Sequence, residues 1–183
     1  PRSTLFPYTT LFRSIKKNTE MKKIRLLAAF LVIGSLISCV HAQFRKTVYG
    51  NEKVVKQERK AGSFDEIRVA TGIDVYLRQG NSEKITVEAD ENLHEYILTE
   101  IEGNVLKVYT EVNIRDAEKK KVYVTMRDIR SVKASSAGDI IGESRINADE
   151  IDLDASSAGD IRLEIYAKEI SASVSSSGDV TLS

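Results

Sequence analysis

From Phe64 onward, apolar side chains fall on alternate positions. Ile67 and Val69 lead to Ile73, Val75 and Leu77, then to Ile85, Val87 and Ala89. Leu106 and Val108 come next, and after them Val122, Val124 and Met126. A period of two marks a strand with one face toward a core and the other toward water. No window of this β-patterned stretch shows apolar residues at i, i+3, i+4 and i+7 over three turns, as an amphipathic helix requires. The pattern therefore predicts an all-β domain. Gly72, Gly80-Asn81 and Gly103-Asn104 mark turns. The segment ENLHEYILTEI (residues 91–101) predicts a short helical turn leading into a strand, and the charge run Arg115–Lys121 a solvated loop.

In the last third the alternation tightens into a repeat. ASSAGDI occurs from Ala134 and again from Ala155, and the variant VSSSGDV starts at Val174. Gly138, Gly159 and Gly178 then align at intervals of 21 and 19 residues. Ala134, Ala155 and Val174 stand four positions before these glycines, and Ile140, Ile161 and Val180 two positions after. Each copy reads as strand, corner, strand, with Gly supplying φ > 0 and Asp bonding nearby amides. A repeat near twenty residues with small and aliphatic inward positions predicts stacked coils of a β-solenoid, equivalent residues lying about 4.8 Å apart. Ala134, Ala155 and Val174 should form an internal column. Ser135, Ser156 and Ser175, and likewise Ser136, Ser157 and Ser176, should form hydroxyl ladders at the corner. Residues 64–133 are expected to be β but less regular, without the repeat. The chain stops at Ser183, just after the third corner, so a C-terminally truncated domain is expected, with its last rung an unpaired edge.

The first sixty residues read differently. From Met21 the chain runs MKKIRLLAAFLVIGSLISCVHAQ, a basic start followed by twelve mostly apolar residues, Leu26–Ile37. That length suits an export signal and falls short of the roughly 20 residues needed to span a bilayer. Two processing sites compete. Leu36-Ile37-Ser38-Cys39 has the form of a lipobox, with Cys39 acylated; Val40-His41-Ala42 has the form of an ordinary signal-peptidase site. The position of Cys39 directly after the apolar run favours the lipoprotein. Either way the product is expected to be exported, to the periplasm, outer membrane or cell surface. Residues 1–20 precede this start, and PRSTLFPYTTLFRS (residues 1–14) is similar to translated adapter sequence, so they are expected to be a non-native leader. Residues 21–42 are then the signal and lipobox region, 43–62 a lead-in with an edge strand near Val54-Val55, and 63–183 the β domain.

Charge and composition narrow the function. The chain is neutral overall, with 27 Lys and Arg against 27 Asp and Glu. Seven of the basic residues lie in the first 42, which leaves 20 basic and 26 acidic beyond, a net of −6. An acidic module lacks the clustered cations that nucleic acid demands. The single cysteine excludes an internal disulfide. No P-loop, GxGxxG or CxxC occurs, and no cofactor is expected.

Two chemistries fit the corner aspartates. Asp139, Asp160 and Asp179 on successive rungs would lie about 5 Å apart, near the spacing of retaining glycosidases. A carbohydrate-active β-helix is therefore an alternative. Yet the three are equivalent, whereas a catalytic pair must be unequal, and a capping residue after Gly explains them equally well. The same ladder offers oxygen ligands for Ca²⁺, but one Asp per rung is thin coordination and no GGxGxDxUx repeat is present. His94 is expected on the surface. Tyr76, Tyr109, Tyr123 and Tyr166 lie on strands, where tyrosine packs well, or rim a binding surface.

SFDEIRVATGIDVYLRQG (residues 63–80), ITVEADENL (85–93) and the serial SSAGD blocks together resemble the head GIN domain, a family of envelope proteins described as auto-transporter-type adhesins. YGNEKVVKQER (49–59) is similar to its lead-in, with Glu52 where a second glycine is usual. The resemblance implies a right-handed, single-stranded β-helix-like fold and no catalytic residues. The expected function is thus a non-catalytic, adhesin-like binding module of the cell envelope, with a plain structural scaffold as a further alternative. Surface glycans or envelope proteins are the expected partners, and the membrane is reached only through a lipid on Cys39. The outward corner residues Ser136, Asp139, Ser157, Asp160, Ser176 and Asp179 are the candidate contacts.

Overall fold

The computed structural model describes residues 45–183; the signal region, Cys39 and His41 lie outside the described residues. Fifteen strands follow one another there. They are β1 (Thr47–Tyr49), β2 (Val54–Arg59), β3 (Glu66–Val69), β4 (Asp74–Gln79), β5 (Lys84–Asp90), β6 (Leu98–Glu102), β7 (Val105–Tyr109) and β8 (Asn113–Arg115). The rest are β9 (Lys120–Met126), β10 (Ser131–Ala134), β11 (Asp139–Gly142), β12 (Ile146–Ala155), β13 (Asp160–Leu163), β14 (Ile165–Val174) and β15 (Asp179–Leu182). The ambiguous segment is a 3-10 turn, Glu91–Leu93, leading into β6, as its sequence predicts. The all-β expectation holds.

The strands form two large open sheets and a parallel pair, β1-β8. One sheet runs β14-β12-β10-β3-β7-β6, the other β15-β13-β11-β4-β9-β5-β2. Read across both, the chain makes a series of rungs, each with one strand in either sheet. β3/β4 is the middle rung. β10/β11, β12/β13 and β14/β15 stack on one side of it and β7/β9 on the other. Every contact between these rungs is parallel. At the β7/β9 end the pattern changes: β6 pairs antiparallel with β7, β5 with β9, and β2 with β5. A purely single-stranded helix of coils is thus not what the described residues show. β2 is the edge strand expected near Val54.

The register is that of the repeat. Ala134 opposes Ala155, and Ala155 opposes Val174. Val132, Leu153 and Ala172 form a second column, and Ile140, Ile161 and Val180 a third. Ala134, Ala155, Ile140, Ile161, Val132 and Leu153 are buried. The same columns run on into the region expected to lack the repeat. Val69 opposes Ala134, Ile67 opposes Val132, and Val75 opposes Ile140. Residues 66–79 are therefore a further rung, one whose corner, VATGIDV, departs too far from SSAGD to be recognised by letters alone. The core fills the space between the sheets with β-branched and aliphatic side chains, Ile67, Ile73, Leu77, Ile140 and Ile161 among the fully buried ones. At about 25 cal/mol per Å² of apolar area, such burial is the main stabilising term.

The corners correct one expectation. The left-handed backbone sits on Ser136 and Ala137 (φ 51° and 59°), Ser157 and Ala158 (51° and 62°), and Ser176 and Ser177 (49° and 65°), not on the glycines. Glycine is required for a different reason. A Cβ on Gly159 would lie 2.6 Å from the Ser135 amide nitrogen and 2.7 Å from the Ala134 carbonyl carbon, and one on Gly178 2.6 Å from the Ala155 carbonyl. Each corner glycine lies against the backbone of the preceding rung. The expected serine ladder is likewise made by backbone. The amides of Ser135, Ser156 and Ser175 donate to the carbonyls of Val69, Ala134 and Ala155 at 2.9–3.0 Å. Those of Ala137 and Ala158 donate to Ser157 and Ser176 at 3.1 Å.

Candidate binding face

Outward positions of the seven-stranded sheet line up as inward ones do, because parallel register carries both faces. Asp139 opposes Asp74, and Asp160 opposes Asp179. The Asp160 amide donates to Asp139 Oδ1 at 3.3 Å and joins the two pairs. Four aspartates thus cross the sheet in one row, Asp179, Asp160, Asp139 and Asp74. The row continues through Lys121, Glu88 and Lys56. Three of the four aspartates were candidate contacts from sequence. Asp74 was missed because its corner glycine, Gly72, stands two residues before it and not one.

The carboxylates are engaged within this face. Arg162 lies 2.7 Å from Asp160 and 3.8 Å from Asp139, bridging two rungs. Thr181 Oγ1 donates to Asp179 at 3.2 Å. Burial pushes the Asp74 carboxyl above its usual range; the Lys120 and Lys121 charges oppose this and Asp139 adds to it. Ser136, Ser157 and Ser176 are exposed at the adjoining corner; Asp139 and Asp160 are half-buried and Asp179 is exposed. The six candidate residues therefore lie together along one edge of the sheet face.

The next outward row is aromatic at its centre. It runs Thr181, Arg162, Ile141, Tyr76, Tyr123, Thr86. The rings of Tyr76 and Tyr123 stack at 5.2 Å and 27°. Lys121 Nζ sits 4.7 Å from the Tyr76 ring centre and donates to its hydroxyl at 2.9 Å, a bond that raises the lysine's pKa. Tyr123 donates to Glu88 at 2.8 Å, and Lys119 to the same carboxylate at 3.0 Å. Burial pushes Glu88 up, but these two bonds and the Lys119 and Lys56 charges outweigh it and hold the carboxyl below its usual range. The combination is a partly charged face with two stacked rings at its centre.

Two other sites depart from expectation. His94 is buried, with Nε2 3.2 Å from the Val55 carbonyl and 3.3 Å from that of Ala89, so it joins β2 to β5 and is not a surface group. The run Arg115–Lys121 is a largely solvent-facing loop only over residues 116–119, between β8 and β9. Its end enters β9, and fully buried Asp90 accepts the Lys119 amide at 3.1 Å and the Glu52 amide at 2.9 Å. An open groove of about 1130 Å³, lined by residues including Gln79, Asp128, Asn147 and Tyr166, lies apart from all six candidate residues. Among the described residues, no three His, Cys, Asp or Glu side chains converge to hold a metal.

Residues 63–183 match the family described as "Putative auto-transporter adhesin, head GIN domain". The chain belongs to this family. Solved structures agree in fold. A putative adhesin from Bacteroides fragilis aligns at 17% identity and a TM-score of 0.68, over 73% of this chain and 63% of that one. One from Parabacteroides merdae aligns at 24% identity and 0.62, over 75% and 59%, and one from Parabacteroides distasonis at 22% and 0.66, over 75% and 59%. A further Parabacteroides distasonis structure, described as a putative lipid binding protein, aligns at 22% identity and 0.59. The chain spans about 60% of the length of the first three structures it matches. No protein of curated function matches it.

Proposed function

We propose that the chain is a non-catalytic, envelope-associated binding module in which stacked coils form a β-solenoid and present their corners to a repetitive ligand. The carrying observation is the outward row Asp179, Asp160, Asp139, Asp74, with its exposed serine corner, repeated rung by rung. A rigid, periodic face suits a periodic partner, such as a surface glycan or an extended envelope protein segment. Membership of an adhesin-described family supports an envelope location, and acylation of Cys39 would supply the tether. The carboxylates are shared out as structure: Arg162 bridges two of them and Thr181 engages a third. Asp74 is the one carboxyl of the row that burial raises, but its neighbour Asp139 is occupied by the Asp160 amide and Arg162, so no free carboxylate stands opposite it as the nucleophile of glycoside cleavage. The test is a glycan array and an envelope pull-down run beside a hydrolysis assay. Wild type should bind, and the Asp139→Asn, Asp160→Asn, Asp179→Asn triple variant should lose most of that binding. Turnover of any glycan that the triple variant abolishes would overturn the proposal in favour of an enzyme.

A further inference from the structure

The order of the rungs leaves a gap on one side of the stack. β9 is the neighbour of β4 and β10 the neighbour of β3, on opposite sides of the middle rung, so residues 127–130 cross past that rung to join them. β4 adds no strand there, since the chain turns at Gly80 and comes back as β5 beyond β9. β12 consequently has β14 along one edge from Ile146 to Ala155, but β10 along the other only from Asp152 to Ala155. The edge of residues 146–150 that faces away from β14 has no strand beside it. It borders the open groove of about 1130 Å³.

One side chain stands in the missing strand's place. The Gln79 carboxamide accepts from the Asn147 amide at 2.8 Å and donates to the Asn147 carbonyl at 3.0 Å, the two main-chain groups that a neighbouring strand would engage. Its Nε2 also donates to the Arg127 carbonyl at 3.1 Å, on the crossing segment. The groove is acidic. Asp128, Glu150 and Asp152 line it, are exposed and have no hydrogen-bond or ion-pair partner among the described residues. Its two cations are neutralised, Arg130 by Asp65 at 3.3 Å and Lys168 by Asp149 at 2.6 Å. Buried Ile129 and half-buried Ala148 line it as well.

We infer that this groove accepts an extended basic peptide segment of a partner protein, which adds as a strand to the 146–150 edge and displaces the Gln79 side chain. Main-chain bonds to the open edge would supply the hold, and alternate side chains the selectivity. One set meets Ile129 and Ala148; the other, Lys or Arg, meets Asp128, Glu150 and Asp152. Residues 146–150 make about 16 Å of strand, so a hexapeptide spans the edge. The inference does not depend on the ligand proposed for the corners.

Fluorescence anisotropy with a labelled Lys-Val-Lys-Val-Lys-Val peptide tests it. The controls are Glu-Val-Glu-Val-Glu-Val and the basic peptide N-methylated at every amide. The basic peptide should bind at least about tenfold tighter than either, because the first control reverses the charge and the second keeps it but loses the strand donors. Its binding should slow hydrogen exchange in 146–150. Gln79→Ala empties the edge and should tighten binding roughly fivefold, the equivalent of one net hydrogen bond no longer given up. The Asp128→Asn, Glu150→Gln, Asp152→Asn triple variant should weaken it roughly tenfold and flatten its salt dependence. No binding of the basic peptide overturns the inference. Equal binding of the N-methylated peptide does so too, since that is charge without strand addition. Protection confined to other strands places the peptide elsewhere and has the same force. Weaker binding by Gln79→Ala makes Gln79 a contact and not a plug, and also overturns it. Should a variant misfold, the three peptides and the exchange map on wild type decide alone.

Discussion

At the scale of single residues, the corner separates two demands that one glycine is usually asked to meet. Left-handed backbone falls on Ser157 and Ala158, while Gly159 is pressed against the rung below. The two demands predict opposite outcomes. Gly159→Ala should cost about 1–3 kcal/mol, the usual cost of forcing an atom into a filled space, because the atoms in its way are backbone. Ser157→Gly should be near neutral, since relief of left-handed strain is offset by the greater entropy of the unfolded chain. Urea unfolding of the two variants checks this, and equal losses would contradict it. The sequence repeat located these corners correctly. It could not assign the strain, because spacing reports which residues are equivalent and not which of them touch.

Between elements, Asp90 joins parts of the domain that are distant in sequence. Its carboxylate holds the amide of Glu52, just before β2, and that of Lys119, just before β9. Burial pushes its pKa up, but the backbone bonds from Lys119, Glu52 and Glu118 outweigh burial and hold it below the ordinary value. The folded state therefore favours the ionised form. Its stabilising contribution is present above the unfolded carboxyl's pKa of about 3.9 and is lost as pH falls below it. Asp90→Asn should lose about 1–3 kcal/mol at pH 7, as buried amides lose a charged acceptor. It should also show a shallower loss of stability below about pH 4 than wild type. Denaturant midpoints across pH measure both. An unchanged acid profile would sink this assignment. Nothing in the pattern of apolar positions pointed to Asp90, which follows Ala89 in ITVEAD and reads there as an ordinary strand end.

Across the whole molecule, stability should grade along the stack. β3/β4 has a parallel neighbour on each side in both sheets, while β14/β15 has one. In a quasi-one-dimensional stack each interface adds its own stabilisation, and the end with a single interface opens first. Amides of β14 and β15 should exchange fastest among the rungs and those of β3 and β4 slowest. Uniform exchange along the stack would mean that the domain unfolds only as one unit. The central place of β3/β4 also gives the middle rung two unlike neighbours. It faces β7/β9 on one side and the repeated rungs on the other, so its side chains answer to two different neighbours.

What the sequence by itself determined is the class of the fold and the period of its regular part. Alternation forces strands, and equal spacing of ASSAGDI forces equivalent positions, because a stacked sheet carries register from rung to rung. Even Ala134, Ala155 and Val174 lie as a column without further information. Tertiary structure alone decided the order of the rungs, with residues 66–79 inserted between 105–126 and 131–142. It alone completed the aspartate row with Asp74 and buried His94. The reason is physical. Local pattern encodes which face of a strand meets the core, whereas neighbours distant in the chain are chosen by how whole faces pack, and no single window of residues contains that comparison.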